Sequence, residues 1–401
     1  MKKNFFIISD IVLLGVIIIE IVLLFHPNFK PRSFIKKIVS RKVIRETSEN
    51  SSCEKIPVIS VKEKWNISAQ TDVFTVSDNK EKILFLSDNE SLLLDKTRIK
   101  KIPGFSEEPS YACYNKDFFV IDKQKNLYLL EKKGFKHLYK IPEFRQSSGF
   151  SLEDLDADKR PEFIGVDSLN RVFVAGGKDG SIQWYFSDSP DTILCAPVAL
   201  KLTKNKKIII TVAQNGQIIA LDSSSGWVLW KNSIQSKISL KPAVFDLFGD
   251  KNEELIVSGQ DKKIFCLTSE GQIIWNSSLP STYEEVIFYD VNSDGKKEII
   301  LYSQNGSLIC LCSTGSVLWT LFQKETIKGR IQIFNVKKTS QSMIVFVDNR
   351  QILHFVESLT GKEKISFELP VMPLTGIFVV NESIFFVGTD KKIYCVDTKI
   401  Q

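Results

Sequence analysis

Histidine is nearly absent. His26, His137 and His354 are the three in 401 residues, too few for a multi-histidine metal centre. The sequence has no Gly-rich phosphate loop, no Ser/His/Asp set of hydrolytic character and no adjacent Cys-Cys pair. A basic body is missing as well. Residues 1–46 hold nine Lys/Arg against Asp10, Glu20 and Glu46, and the other 44 basic residues are balanced by 44 acidic ones. The formal charge of +6 therefore sits at the N-terminus, and nucleic acid is excluded as a partner, because such a domain carries its own basic surface. With 43% hydrophobic and 25% charged residues, the chain has ample material for a buried core.

Residues 5–25 are an apolar run of 21, about 31 Å as a helix and enough to cross a bilayer core. Asp10 and Glu20 interrupt it. No small-x-small cleavage site follows, only Phe25-His26-Pro27-Asn28, and there is no lipobox cysteine. Residues 1–26 are therefore expected to be a tail and an uncleaved transmembrane helix, making a single-pass membrane protein. Residues 27–56 read as a basic juxtamembrane segment and linker. Phe34, Ile35, Ile38, Val39 and Val43 interleave with seven Lys/Arg at helical spacing, which suits either anionic lipid or a solvated stretch. The charge rule keeps the large domain cytoplasmic.

From residue 57 to 401 the chain repeats. Gly-x-x-x-Trp recurs at Gly180/Trp184, Gly226/Trp230, Gly271/Trp275 and Gly315/Trp319, at intervals of 46, 45 and 44, and Gly361/Ile365 continues it without the ring. Gly259-Gln-Asp-Lys-Lys-Ile-Phe-Cys-Leu returns as Gly388-Thr-Asp-Lys-Lys-Ile-Tyr-Cys-Val. Each unit holds four short β-branched or aromatic runs bounded by turns, with Asn215-Gly216 and Asn305-Gly306 suited to tight hairpins. Four strands per roughly 45 residues is the unit of a β-propeller blade, which must stack on neighbours to bury its faces. The expectation is an all-β, eight-bladed β-propeller of four-stranded antiparallel blades, with seven blades as the alternative because the first two units diverge. The last unit lacks its fourth strand. Residues 57–68, where Trp65-Asn66 resembles Trp275-Asn276, are expected to supply it and close the ring.

The stretch Asn215-Gly-Gln-Ile-Ile-Ala-Leu-Asp222-Ser-Ser-Ser-Gly226-Trp-Val-Leu-Trp230 resembles the repeat of pyrroloquinoline-quinone-like (quinoprotein-type) propellers. That superfamily includes quinoprotein alcohol dehydrogenases and the propeller lipoprotein of the outer-membrane β-barrel assembly machine. Units with Asp-x-Asp/Asn-x-Asp loops are similar to FG-GAP/VCBS repeats of integrin α-subunit type. The resemblance implies fold; it serves enzymes and scaffolds alike.

Two acidic loops carry the spacing of a calcium loop. Asp290, Asn292, Asp294 and Glu298 stand at positions 1, 3, 5 and 9, with Gly295 at the bend and the Lys296 carbonyl at position 7. Asp154, Asp156, Asp158 and Glu162 repeat the pattern with the Arg160 carbonyl, though Lys159 replaces the glycine, which is expected to put strain and a nearby positive charge into this loop and to favour 290–298. In FG-GAP-like propellers this loop holds calcium, and those ligands map onto these positions. Asp246-Leu-Phe248-Gly-Asp250 lacks the position-3 ligand and is expected to hold no tight ion. The alternative is a turn whose Asp and Asn cap their own backbone. Calcium in such loops favours an extracytoplasmic propeller, against the charge rule, so the side of the membrane stays open.

Cys266, Cys310 and Cys395 share the third-strand place of Ala220 and read as packing thiols, and Cys310-x-Cys312 is a poor zinc knuckle. The repeated tryptophans read as blade-to-blade packing; Trp227 lies outside the pattern. No catalytic or quinone-binding residue is identified. The expected function is a membrane-anchored, non-enzymatic platform that binds a protein partner, within an envelope assembly, stabilised by calcium. The alternatives are a quinone- or sugar-dependent enzyme using the propeller funnel, and a calcium-dependent adhesion module.

Overall fold

A computed structural model describes strands Val58–Asn66, Thr75–Asp78, Lys82–Leu86, Glu90–Asp95 and Arg98–Pro103. From Ser110 to Lys399 it describes every residue except 116, 132, 204–205, 337–340, 375 and 381–382. The expected anchor at 1–26 and the juxtamembrane segment at 27–56 lie outside the described residues. Among those described, no helix is long and apolar enough to cross a membrane.

The described strands form eight four-stranded antiparallel sheets. Seven are each built from four consecutive strands: sheet 1 from Thr75–Asp78 to Arg98–Pro103, sheet 2 from Ser110–Tyr114 to Gly134–Lys140, sheet 3 from Ser151–Glu153 to Ile182–Phe186, sheet 4 from Val198–Thr203 to Val228–Ser233, sheet 5 from Ile238–Phe245 to Ile273–Ser278, sheet 6 from Glu285–Tyr289 to Val317–Phe322, and sheet 7 from Ile327–Val336 to Glu363–Glu368. The eighth draws on both ends of the chain: Val58–Asn66 pairs with Lys392–Lys399, which continues through Ser383–Val387 to Phe378–Val380. Consecutive sheets touch through their first strands, and Phe378–Val380 of sheet 8 touches Lys82–Leu86 of sheet 1. The architecture is a β-propeller of four-stranded antiparallel blades.

The middle strands show why a period-2 pattern is lacking. Glu254–Gly259 and Glu298–Tyr302 are buried along their whole length. Leu255 and Val257 pack with sheet 4, while Ile256, on the opposite face, packs with sheet 6. A strand covered on both faces reads as a continuous apolar run. Cys266, Cys310 and Ala220 each lie fully buried opposite a tryptophan of the fourth strand. None of the six described cysteines is in a disulfide, and burial raises the Cys266 thiol to about 12.

The Gly-x-x-x-Trp repeat is an inter-blade joint. In sheets 3 to 7 the pairing of third and fourth strands slips by one residue just before the tryptophan or, in sheet 7, before Ile365. This bulge re-aims the ring. Trp184, Trp230, Trp275 and Trp319 each donate Nε1–H to a backbone carbonyl of the next sheet's turn, at Ser223, Ser269, Ser313 and Ser358, all at 2.9 Å. Each ring lies on the glycine of that turn. A Cβ at Gly226, Gly271, Gly315 or Gly361 would stand 2.5–2.7 Å from it, and all four have positive φ. Tyr139 plays the same part over Gly180.

One feature of the last sheet departs from the expectation. Trp65 pairs with Ile393, whereas Trp275 pairs with Cys266, whose counterpart Cys395 faces Lys62. The likeness of Trp65 to the repeated tryptophans is therefore not carried into register. In the other sheets a short turn fixes the pairing of strands three and four; here the two strands come from opposite chain ends, and no turn sets it.

Candidate functional site

Two surfaces stand out, one polar and one apolar. The polar one is formed by the loops between first and second strands. All three acidic loops share one backbone path, with positive φ at positions 4 and 6: Ala157 and Lys159, Gly249 and Lys251, Ser293 and Gly295. Lys159 and Lys251 thus adopt the left-handed conformation expected of glycine. In each loop the position-6 N–H donates to the first aspartate, from Lys159 to Asp154 (3.0 Å), Lys251 to Asp246 (2.9 Å) and Gly295 to Asp290 (3.0 Å). That bond helps hold a side-chain-bearing residue there.

Position 9 is a buried glutamate that staples the loop. Glu162, Glu254 and Glu298 each accept from the position-2 N–H, of Leu155, Leu247 and Val291, at 2.8 Å. Burial raises all three carboxyl pKa values, that of Glu254 to about 7. The loops of sheets 5 and 6 also interlock, Lys297 donating to the Leu247 carbonyl at 3.1 Å.

The two expected cation loops differ in how free their oxygens are. Asp154, Asp156 and Glu162 bring one carboxylate oxygen each to within 4.8 Å of one another, and Asp154 Oδ1 is buried without a hydrogen-bond partner. Asp158 stays outside this group and accepts from the Arg160 N–H at 2.7 Å. The Arg160 carbonyl lies against Gly177, where a Cβ would meet it at 2.9 Å. In the other loop, Asn292 Nδ2 donates to Asp294 (3.2 Å) and Glu298 (3.4 Å), and Asp290 and Asp294 accept from the backbone of Asp294, Gly295 and Lys296. The oxygens of 290–298 are thus largely engaged within the loop. The donor set of 154–162 fits a hard cation better, because it leaves a buried carboxylate oxygen unsatisfied.

The apolar surface was not foreseen. On the outer strands of sheets 4, 5 and 6 the two residues before each tryptophan are exposed and aliphatic: Val228 and Leu229, Ile273 and Ile274, Val317 and Leu318. Trp227, 77% exposed, and Phe322 extend the set. The bulge is the local cause, since it turns two successive side chains outward where a regular strand would bury one. Other blades place polar residues on this edge: Lys100 and Lys101 in sheet 1, Lys136 in sheet 2, Gln183 in sheet 3 and Lys364 in sheet 7. The outer strands of sheets 5 and 6 contain no charged residue at all. Charge on an edge strand normally guards it against pairing, so sheets 5 and 6 lack a protection that Lys231 gives sheet 4 and Lys364 gives sheet 7 on either side. The signal was present in the sequence as paired aliphatics ahead of Trp230, Trp275 and Trp319, but strand alternation alone assigns one of each pair to the core.

Residues 208–282 match a family model described as the lambda-carrageenase beta-propeller domain. No curated protein sequence matches the chain. Among solved structures, the chain is similar to Sqt1 of Saccharomyces cerevisiae, with TM-score 0.62 and 12% identity over 84% of this chain and 98% of that one. It is also similar to BamB of Moraxella catarrhalis (TM-score 0.57, 13% identity, 84% and 98% covered) and to the computationally designed protein Ika8 (0.58, 13%, 82% and 98%). At such identities the likeness is one of fold.

Proposed function

We propose that this chain is a non-enzymatic protein-binding platform, held to a membrane by residues 5–25 and working within an envelope assembly, whose docking surface is the outer edge of sheets 4 to 6. The observation that carries this reading is the exposed aliphatic sector there, uncharged on the outer strands of sheets 5 and 6 and flanked by Lys231 in sheet 4 and Lys364 in sheet 7. Such a surface suits a partner that offers an apolar, uncharged strand or loop, since a charge brought onto it would be desolvated without a counter-ion. The test is the pair Ile274→Lys and Leu318→Lys in the full-length chain. Both sites are exposed, so the melting temperature should hold while the chain, extracted in mild detergent, shifts from a larger complex to its own size. A variant that keeps the size of the wild-type complex would count against the surface.

A second reading, calcium at 154–162, is supported by the unsatisfied Asp154 Oδ1 beside Asp156 and Glu162. Calcium would neutralise the three converging carboxylates and tie the loop to the buried end of the second strand, stiffening the blade rather than reacting. Its expected mark is a rise in melting temperature at ~1 mM calcium that Asp154→Asn abolishes. A melt indifferent to calcium removes it.

A further inference from the structure

His354 lies in the third strand of sheet 7, Ile352–Glu357, and is 7% exposed. Both of its ring nitrogens face carboxylates. Nε2 is 3.2 Å from Asp348 Oδ2, at the end of the second strand, and Nδ1 is 3.0 Å from Glu363 Oε2, at the start of the outer strand. The ring stacks on Phe346, with centroids 4.9 Å apart. Asp348 is itself fixed, its Oδ1 accepting from the N–H groups of Arg350 (2.9 Å) and Ile352 (2.8 Å).

This geometry selects a protonation state. An ionised carboxylate only accepts, so each contact is satisfied only if the nitrogen carries hydrogen. Neutral imidazole has one N–H and leaves a lone pair aimed at a carboxylate. The imidazolium satisfies both. Of the other charged groups nearby, Arg350 pairs with Glu325 and Lys364 with Glu357. Gln323, just past the outer strand of sheet 6, donates to Glu363 at 3.5 Å and is uncharged.

We propose that His354 is a proton-operated latch that fastens the outer strand of sheet 7 to its central hairpin and thereby steadies the joint between sheets 6 and 7. The joint is close at hand: Trp319 of sheet 6 rests on Gly361, two residues before Glu363, and donates to the Ser358 carbonyl. That joint borders the apolar sector, but the latch stands without the binding role proposed for it.

Burial alone pulls the imidazole pKa down; the hydrogen bonds and charges of Glu363 and Asp348 outweigh it, and the net shift is upward from 6.5. Glu363 is lowered from 4.5, chiefly by its hydrogen bond from His354. A raised histidine contributes stability that is complete below the unfolded pKa and lost as pH rises through the folded one. A lowered glutamate contributes stability that is lost as pH falls through its folded pKa. The latch is therefore tightest between about pH 4.5 and 6.5 and opens on the alkaline side.

The test is a nitrogen-15 imidazole titration of the full-length protein. Three histidines make the spectrum sparse, and His354→Gln assigns the signal. The expected result is a His354 pKa above 6.5, with both ring nitrogens protonated at pH 5, and a fall of about one unit or more in Glu363→Gln. Each unit corresponds to a tenfold change in the folded-to-unfolded ratio, read as a melting-temperature decline that begins as pH rises past about 6.5 in the wild type and is missing in His354→Gln. A pKa at or below 6.5, or parallel declines in both proteins, overturns the latch. If His354→Gln does not fold, the wild-type titration and Glu363→Gln decide the matter alone.

Discussion

A chain that begins at residue 67 is expected to melt far below one that begins at residue 57. The ten residues at stake are nearly all in Val58–Asn66, the outer strand of sheet 8, which pairs with Lys392–Lys399 along its length. Removing it bares the edge of a strand whose Ile393, Cys395 and Val396 are fully buried. It also takes away the link that ties the start of the chain to its end. The lost ladder and apolar contact together are worth about 5 kcal/mol or more, and the uncovered edge invites aggregation. Thermal melts of the two proteins, with light scattering recorded alongside, check this. Equal melting temperatures would mean that sheet 8 is complete without the N-terminal strand.

The second large effect belongs to the glycine beneath each tryptophan. Gly271→Ala places a methyl group 2.7 Å from Trp230 and demands φ +81 of an L-residue. Overpacking and backbone strain add, and the expected loss is about 3–5 kcal/mol. Gly295→Ala is the control, because its φ is +86 but nothing lies within 4 Å of the new carbon. Only the backbone cost applies there, about 1 kcal/mol. Denaturant melts of both variants measure the difference. If they lose the same stability, the ring-on-glycine joint contributes nothing beyond its φ.

The repeat was legible in the sequence because its signal is spacing. A Gly-x-x-x-Trp interval near 45 survives any uncertainty about strand ends, and the tryptophans do dock blade on blade. The packing cysteines were legible for the same reason. Register across the chain ends was not, since it depends on pairing that no hairpin encodes, and Trp65 misled for that reason. In the acidic loops, residue types alone favoured 290–298 with its glycine. The structure shows Asn292 bonded to Asp294 and Glu298, while Asp154 keeps an oxygen without a partner. Lys159 was expected to disturb its loop, yet it takes the same backbone path as Gly295. His354 gave no signal at all. Its partners lie six residues before it and nine after it, and only the antiparallel pairing of three strands brings them to one ring.

The surface proposed for binding can be probed most directly by site-specific photo-crosslinking in living cells. A photoreactive residue is placed singly at Leu229, Ile274 and Leu318, and, for comparison, at Lys100, Lys136 and Lys364. The account predicts one shared protein adduct from the first three positions and none from the lysine positions. Adducts formed equally from both sets, or from the lysine positions alone, would contradict it.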